Sequence, residues 1–249
     1  MADPEVSARE LAYHEELYSG FAQAHFARPA VRALRRHMVD RIRGLTGIGP
    51  RSRVLSLGCG IGDTELLMAP HVGEIVGVDL SPAAIRQARA DAARAGIANA
   101  RFELGSDAAG RYDAVIAIFF LHHLPDAALA ELPERVHERL TPGGVFYSLD
   151  PSRRRLSGTI GRLLVPGLMR KYQTPDEREL EPEATRDLFG GGFDARIEMY
   201  DFGSSPLAGL FPGWAAGYRA ARSVDDWLLR LGPLRTRGSN FEIIARSRP

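Results

Sequence analysis

The sequence has one cysteine, Cys59, and one lysine, Lys171, among its 249 residues. A single cysteine excludes an intrachain disulfide and a cysteine-rich zinc site. We predict no metal-binding residues. No apolar run approaches the roughly 20 residues that a membrane-spanning helix needs. The N-terminal segment carries Asp3 and Glu5, where a signal peptide would be basic and then apolar. We therefore expect a cytoplasmic protein.

An excess of charge of one sign is also missing. Arginine and lysine together number 32 and the acidic residues 31, which gives a net charge of +1. A balanced chain has no general field that would attract nucleic acid, so we expect no nucleic-acid partner. The 45% apolar and 25% charged residues are ordinary for a globular protein. The length suffices for one core, and we predict a single domain with caps.

The most informative segment is Val54 to Glu65, with the sequence VLSLGCGIGDTE. Its apolar beginning predicts a buried strand, and Gly58, Gly60 and Gly62 predict a tight loop into a helix near Asp63. Glycines let the backbone approach a bulky ligand because no Cβ intervenes. The spacing differs from the dinucleotide fingerprint G-x-G-x-x-G, which disfavours an NAD-dependent oxidoreductase. The alternative is a tight strand–helix turn without a ligand.

Strands and helices alternate through residues 51–150. The five predicted strands are Arg53 to Leu57, Glu74 to Asp79, Arg101 to Leu104, Tyr112 to Phe119 and Val145 to Leu149. Strands separated by helices predict a parallel, doubly wound α/β sheet. We expect residues 1–50 to form a helical cover, and residues 151–181 and 203–239 to form cap insertions, the second a helical pair. Ala195 to Phe202 and Asn240 to Arg246 are two further predicted strands.

Two acidic residues follow the second and third predicted strands. Asp79 lies 17 positions after Gly62, where a carboxylate can accept hydrogen bonds from both hydroxyls of a ribose. Asp107 can accept from an exocyclic adenine amine, while the N–H of Ala108 reaches a ring nitrogen. Because parallel strands end at one edge of a sheet, these residues predict a nucleoside-binding site. The alternatives are a helix N-terminal acid for Asp79 and a turn residue for Asp107.

Ordered motifs carry a family resemblance. They are VLSLGCGIGDTE, IVGVDLSPAAIRQAR, FELGSDA, YDAVIAIFFLHHLPD and LTPGGVFYSLDP. Together they resemble the motifs of class I S-adenosylmethionine-dependent methyltransferases of the small-molecule type, over Arg51 to Asp150. The resemblance implies a seven-stranded Rossmann-like sheet in the order 3-2-1-4-5-7-6, with the last strand antiparallel. It also implies S-adenosylmethionine as cofactor and S-adenosylhomocysteine as product.

The resemblance also assigns residues to the cofactor. The glycines would lie against its methionine portion, Asp79 would bind its ribose, and Asp107 with Ala108 its adenine. Ile118 and Phe119 would lie near the sulfonium. The implied cofactor-binding set is Gly58, Cys59, Gly60, Gly62, Asp63, Asp79, Leu80, Asp107, Ala108, Ile118 and Phe119. A small packing residue in the loop is the other interpretation of Cys59.

One position departs from the family pattern. The family has an acid two residues before the first glycine, where this sequence has Ser56. That acid often helps to hold the ammonium group of the cofactor. We therefore expect the contact to be weaker here, or to be supplied by another residue, with Asp63 as the candidate.

The predicted catalytic residues are His123, His122 and Tyr18. Methyl transfer is an in-line displacement in which the protein aligns the nucleophile, excludes water and sometimes removes a proton. Imidazole titrates near neutrality, which suits a general base. His123 is preferred, because similar enzymes have a histidine followed by leucine here that can pair with an N-terminal tyrosine, such as Tyr18 or Tyr13. The alternative for each histidine is a structural role.

The segment Arg153 to Lys171 carries six positive charges and no acid. It is interpretable as a solvated amphipathic cap, as a lid over an anionic substrate, or as a peripheral membrane contact. The insertion with Trp214 and Trp227 has similar alternatives: a substrate roof, a dimer contact or an interfacial anchor. The chain is expected to be a monomer or a homodimer.

Methylation of a small-molecule or lipid acceptor is the leading functional hypothesis. Amino-directed DNA enzymes of this fold have an acid or asparagine with two prolines and an aromatic after strand four, where this chain has FFLHHLP. Protein-arginine enzymes need paired glutamates there, which this chain lacks. Cytosine C5 enzymes need a catalytic cysteine, and Cys59 is committed to the glycine loop. A cofactor-binding or membrane-interaction protein without turnover is the non-enzymatic alternative.

Overall fold

The computed structural model describes residues 21–155, 179–232 and 234–248. Within these ranges, seven strands form one sheet in the order β3-β2-β1-β4-β5-β7-β6. The strands are β1 (Arg53–Leu57), β2 (Glu74–Asp79), β3 (Ala100–Leu104), β4 (Tyr112–Ile118), β5 (Leu140–Pro151), β6 (Phe193–Asp201) and β7 (Asn240–Ser247). β1 to β5 run parallel to one another, and β7 is antiparallel to both β5 and β6. The predicted order and the antiparallel last strand are confirmed.

Helices surround this sheet as the alternating pattern predicts. They are α1 (Phe21–Phe26), α2 (Pro29–Thr46), α3 (Asp63–Met68), α4 (Pro82–Ala95), α5 (Asp126–Arg139), α6 (Pro182–Asp187), α7 (Ser204–Leu210) and α8 (Ala215–Leu228). α7 and α8 form the helical pair expected between residues 203 and 239. In the part of the chain that the structure describes, no helix is both long and apolar enough to span a membrane.

Alternate side chains of the central strands pack into two separate hydrophobic cores, one on each face of the sheet. Val54 and Tyr147 join the core under α2, whereas Leu55 and Phe146 join the core under α5. This division follows from the two-residue period of a strand, and burial on both faces suits a parallel sheet. Ser56 shares the α2 side of β1 with Val54. Its hydroxyl is therefore placed beneath the loop that follows the strand.

α2 is attached to the sheet by a buried ion pair as well as by apolar packing. Its inner face carries Leu34, Met38 and Ile42 at helical spacing. Arg41 Nε lies 2.8 and 2.6 Å from the two carboxylate oxygens of Glu242 on β7. The hydroxyl of Tyr147 donates to the same carboxylate at 2.7 Å. Because Glu242 is fully buried, this pairing satisfies a charge that would otherwise be costly.

β5 begins five residues earlier than predicted. Tyr112 pairs with Leu140 and Ala114 with Val145, so the ladder shifts between these pairs and residues 141–144 bulge from it. Gly143 has φ +75°, which accommodates the irregularity. The turn expected at residues 142–144 is therefore a bulge within the strand.

Some predicted features lie outside the described residues. These are Tyr13, Tyr18 and most of the segment from Arg153 to Lys171. The domain subdivision of the chain stays a prediction.

Candidate functional site

The glycine loop between β1 and α3 has a conformation that only glycine adopts readily. Gly58, Gly60 and Gly62 have φ of +65°, +53° and +73°. A Cβ at Gly58 would overlap the Phe120 ring, and one at Gly62 would lie 2.6 Å from the Phe102 ring. Two of the three glycines are thus required by close side-chain packing as well as by backbone conformation.

Asp79 at the end of β2 fastens this loop to the sheet. Its Oδ2 accepts a hydrogen bond from the Gly60 N–H at 2.8 Å, and its Oδ1 accepts one from Ser81 at 2.9 Å. A carboxylate has about four acceptor positions, so both oxygens keep capacity for two hydroxyl donors. The neighbouring Leu80 is largely exposed. The half-buried Asp79 therefore has the chemistry that a ribose diol requires.

Asp107 after β3 is held by an arginine that the sequence did not indicate. Arg139 Nε donates to both carboxylate oxygens at 2.9 Å, and the Ala108 N–H donates to Oδ1 at 2.8 Å. Partial burial would raise the pKa of Asp107, but the hydrogen bonds from Arg139 and Ala108 outweigh it, and the pKa is lowered. This acid is thus kept ionised beside the predicted adenine position.

The exit of β4 contains a strained residue. Phe119 has φ +53°, and it is the one non-glycine residue with positive φ in the described ranges. Its N–H donates to the carbonyl of Leu149 at 2.7 Å, which holds the backbone in this form. Strain of this kind concentrates at functional sites. Ile118 precedes it as the last residue of β4, so both predicted sulfonium neighbours lie at the carboxyl edge.

A buried carboxylate lies beneath the glycine loop, and it belongs to Glu65 of α3. Its Oε1 accepts a hydrogen bond from Ser56 Oγ at 2.6 Å. Glu65 is 3% exposed, and its Oε2 has no hydrogen-bond partner among the described residues. Burial raises the pKa of Glu65 to about 7, partly opposed by the Ser56 hydrogen bond. Sequence reasoning missed Glu65, since only the fold brings it to Ser56.

Asp63, the candidate for the missing acid, has a different partner. Arg35 of α2 forms an ion pair with it, with 2.8 Å between Nε and Oδ2. The Arg35 guanidinium also lies 5.1 Å from the ring centre of Phe26 and 6.0 Å from that of Phe119. Arg35 thus links the helical cover to the glycine loop and to the exit of β4.

The two histidines after β4 differ in their surroundings. His122 is 3% exposed, and its Nδ1 lies 3.0 Å from Oδ1 of the fully buried Asp150. A carboxylate oxygen in this position accepts a hydrogen bond from Nδ1–H, which leaves Nε2 as the unprotonated ring nitrogen. His123 is only partly buried, and its ring centre lies 4.0 Å from that of His122. Asp150 was not among the predicted site residues, although it lies within a motif used for the resemblance.

The predicted cofactor residues meet at one edge of the sheet, where β1 to β4 end. In the described ranges, no group of three or more histidine, cysteine or acidic side chains is arranged to hold a metal ion. Cys59 is buried within the loop, and burial raises the pKa of its thiol. The groups of the site that could bind a ligand are thus carboxylates, backbone N–H groups and imidazoles.

Comparison with known proteins relates this chain to methyltransferases. Residues 55–146 match the family described as a methyltransferase domain. The ubiquinone biosynthesis O-methyltransferase of Acinetobacter baylyi is 30% identical over 159 residues, which cover 59% of this chain and 64% of that protein. The chain spans about half to two thirds of the curated relatives that it matches first.

Solved structures share the whole fold at lower identity. The complex of DhpI with S-adenosylhomocysteine aligns with a TM-score of 0.60 and 17% identity, over 96% of this chain and 95% of that one. A cyclopropane synthase from Mycobacterium tuberculosis aligns with a TM-score of 0.62 and 18% identity, over 90% and 88%. The matched domain, the relatives and the strand order together support a class I S-adenosylmethionine-dependent methyltransferase.

Proposed function

We propose that this protein transfers the methyl group of S-adenosylmethionine to a small-molecule acceptor. One observation carries the proposal: the Asp79 carboxylate is fixed by the Gly60 N–H at the ends of two adjacent strands. An acid held there meets the two hydroxyls of a ribose, in the crevice where open α/β sheets bind ligands. When bound, S-adenosylmethionine supplies a methyl group already activated by its sulfonium.

Each end of the cofactor has residues suited to it. Asp79 accepts hydrogen bonds from the ribose, and the ionised Asp107 accepts from the adenine amine while Arg139 fixes its orientation. The glycine loop brings backbone close to the methionine portion. Phe119 lies at the exit of β4, where its ring helps to exclude water from the reacting centre.

Three observations support a small molecule as the acceptor. The strand-four exit has the sequence FFLHHLP, and the net charge of +1 supplies no field for nucleic acid. A curated relative is an O-methyltransferase of ubiquinone biosynthesis. We therefore favour a quinone-like or natural-product-like acceptor, with a hydroxyl as the first acceptor group to test.

His123 is the proposed general base. It is the more accessible of the two histidines, and its ring packs against that of His122. His122 is anchored by Asp150, so it acts as a positioning residue that fixes the direction of its neighbour. In this arrangement His123 would take the proton of the acceptor hydroxyl. The acceptor oxygen would gain the methyl group as the bond between that methyl group and the sulfonium breaks, with S-adenosylhomocysteine as the leaving group.

Calorimetric titration tests the cofactor part of the proposal. The protein should bind S-adenosylmethionine and S-adenosylhomocysteine, and Asp79→Ala should abolish measurable binding. Asp194 is exposed on β6, so Asp194→Ala is the matched control and should bind like the unaltered protein. Absence of binding to both nucleosides, or equal affinity in Asp79→Ala, would overturn the assignment.

Release of S-adenosylhomocysteine tests the acceptor class. Phenols, quinols and amines are compared with bulk RNA, DNA and protein under the same conditions. Turnover with a small molecule supports the proposal. Turnover with a macromolecular fraction, and with none of the small molecules, contradicts it.

A further inference from the structure

The structure brings an acid to the place where the family pattern has one and this sequence has Ser56. Ser56 occupies the usual acidic position on β1, and its hydroxyl donates to Oε1 of Glu65 at 2.6 Å. The carboxylate thus comes from α3, on the far side of the glycine loop, and reaches back to the strand. An acid has been lost at one position of the sequence and supplied from another.

We propose that Glu65 binds the α-ammonium group of the cofactor's methionine portion, in place of the acid missing at position 56. This inference rests on the proposed function, since it concerns how the same cofactor is held. It assigns a binding role that the glycine-loop motif does not predict, and it leaves Ser56 as the group that orients the carboxylate.

The unequal surroundings of the two carboxylate oxygens support this role. Oε1 is fixed by Ser56, while Oε2 is buried and has no partner among the described residues. A buried carboxylate oxygen without a donor is costly, and an ammonium group supplies both the donor and the compensating charge. Glu65 lies two residues after Asp63, where α3 leaves the glycine loop, so it is adjacent to the methionine side of the site.

Neighbouring charges distinguish Glu65 from Asp63. Arg35 of α2 already neutralises Asp63 through a 2.8 Å contact. Glu65 has no such ion pair in the described ranges; Arg35 and Asp63 act on it only at longer range, with opposite signs. The other titratable group facing it is the thiol of Cys59, whose pKa is raised by burial. Glu65 is consequently the carboxylate beneath the loop that still needs a cation.

A comparison of two nucleosides tests the proposal without requiring turnover. S-adenosylhomocysteine has the amino-acid portion, whereas 5′-methylthioadenosine lacks it and keeps the adenosine. Glu65→Gln preserves shape and the bond to Ser56 but removes the charge. It should weaken S-adenosylhomocysteine binding by roughly ten- to a hundredfold, the range for one charge-assisted hydrogen bond. Its affinity for 5′-methylthioadenosine should stay within about twofold of that of the unaltered protein, as expected for an untouched contact.

The controls separate this inference from the proposed function. Glu131→Gln makes the same chemical change on the exposed side of α5 and should alter neither affinity. Equal weakening for both nucleosides in Glu65→Gln would show that Glu65 only supports the loop, and would overturn the inference. If the unaltered protein binds neither nucleoside, the proposed function itself fails.

A measurement on the unaltered protein covers the case in which Glu65→Gln does not fold. Binding an ammonium group should ionise Glu65, so S-adenosylhomocysteine should release protons at pH 7 that 5′-methylthioadenosine does not. Titrations in two buffers of different ionisation enthalpy give this number directly. Equal proton release for the two nucleosides would contradict the proposal.

Discussion

Arg139, the last residue of α5, binds the Asp107 carboxylate through its Nε and a terminal nitrogen, with contacts of 2.6 to 2.9 Å. Both side chains are about one third exposed. The pairing fixes the plane of a carboxylate that would otherwise rotate after β3. The Ala108 N–H, predicted to reach an adenine ring nitrogen, instead donates to Asp107 Oδ1 at 2.8 Å. In the proposed site, adenine recognition by Asp107 would therefore depend on Arg139, which lies in a helix outside the recognised motifs.

Arg139→Ala should weaken binding of 5′-methylthioadenosine by several-fold, about 3- to 10-fold for a partly exposed ion pair. It should also raise the pKa of Asp107, so the loss of affinity at low pH should begin at a higher pH than in the unaltered protein. Calorimetric titrations from pH 4 to 7 measure both effects. Unchanged affinity and an unchanged acid limb would mean that Arg139 has no part in the site.

His123→Ala should lower turnover by about 10²- to 10⁴-fold, the usual contribution of a general base. Its affinity for S-adenosylhomocysteine should be unchanged, because the variant alters only the acceptor side. Turnover is measured as steady-state release of S-adenosylhomocysteine, with an acceptor identified in the comparison of small molecules described above. Calorimetry measures the affinity.

Asp150→Asn provides the complementary variant. The amide keeps the shape of the Asp150 side chain but weakens the contact with His122 Nδ1 that selects the tautomer of His122. We expect a smaller loss of turnover than in His123→Ala. If His122→Asn abolishes turnover while His123→Ala does not, the base is His122 and the assignment made above is reversed.

Gly62→Ala should destabilise the protein by about 1–3 kcal/mol, because alanine is strained at φ +73° and its Cβ meets the Phe102 ring. Gly44→Ala is the matched control on the exposed face of α2, where nothing lies within 4 Å of the new Cβ. That change should stabilise by about 0.5–1 kcal/mol, since alanine favours a helix interior. Urea unfolding midpoints give both values. Equal effects of the two substitutions would contradict the strained geometry of the loop.

Ionisation of Glu65 should lower the stability of the cofactor-free protein as the pH rises from about 4.5 to 7. Burial raises the pKa of Glu65 to about 7, so in this window the folded state binds more protons than the unfolded state. The slope is then negative, and a shift of this size corresponds to about 3 kcal/mol. Glu65→Gln should remove that part of the slope, measured by urea unfolding at several pH values. A slope unchanged by the substitution would place the ionisable group elsewhere.

The sequence predicted the parts of the site whose signal is local. The apolar run of β1, the glycine loop and Asp79 lie in or beside short motifs, and the sheet order follows from the alternation of elements. Arg139 and Asp150 act through partners about thirty residues away, so no local pattern marks them. Glu65 is only nine positions from Ser56, but its inward direction depends on how α3 packs against β1.

The extent of β5 shows the same limit for the fold. Pro142, Gly143 and Gly144 have the composition of a turn, and only the pairing of Leu140 with Tyr112 shows that the ladder begins before them. A bulge is decided by what the neighbouring strand offers, which a single segment cannot reveal.

α2 contacts two distant parts of the molecule through two arginines that are six residues apart. Arg41 binds Glu242 of β7 in the core, and Arg35 binds Asp63 at the glycine loop. A helix moves largely as a rigid body. A displacement of the glycine loop would therefore shift α2 and, through Arg41, reach β7. Cofactor binding at the glycine loop should therefore also stabilise β7, and we expect α2 and the sheet to unfold in one transition.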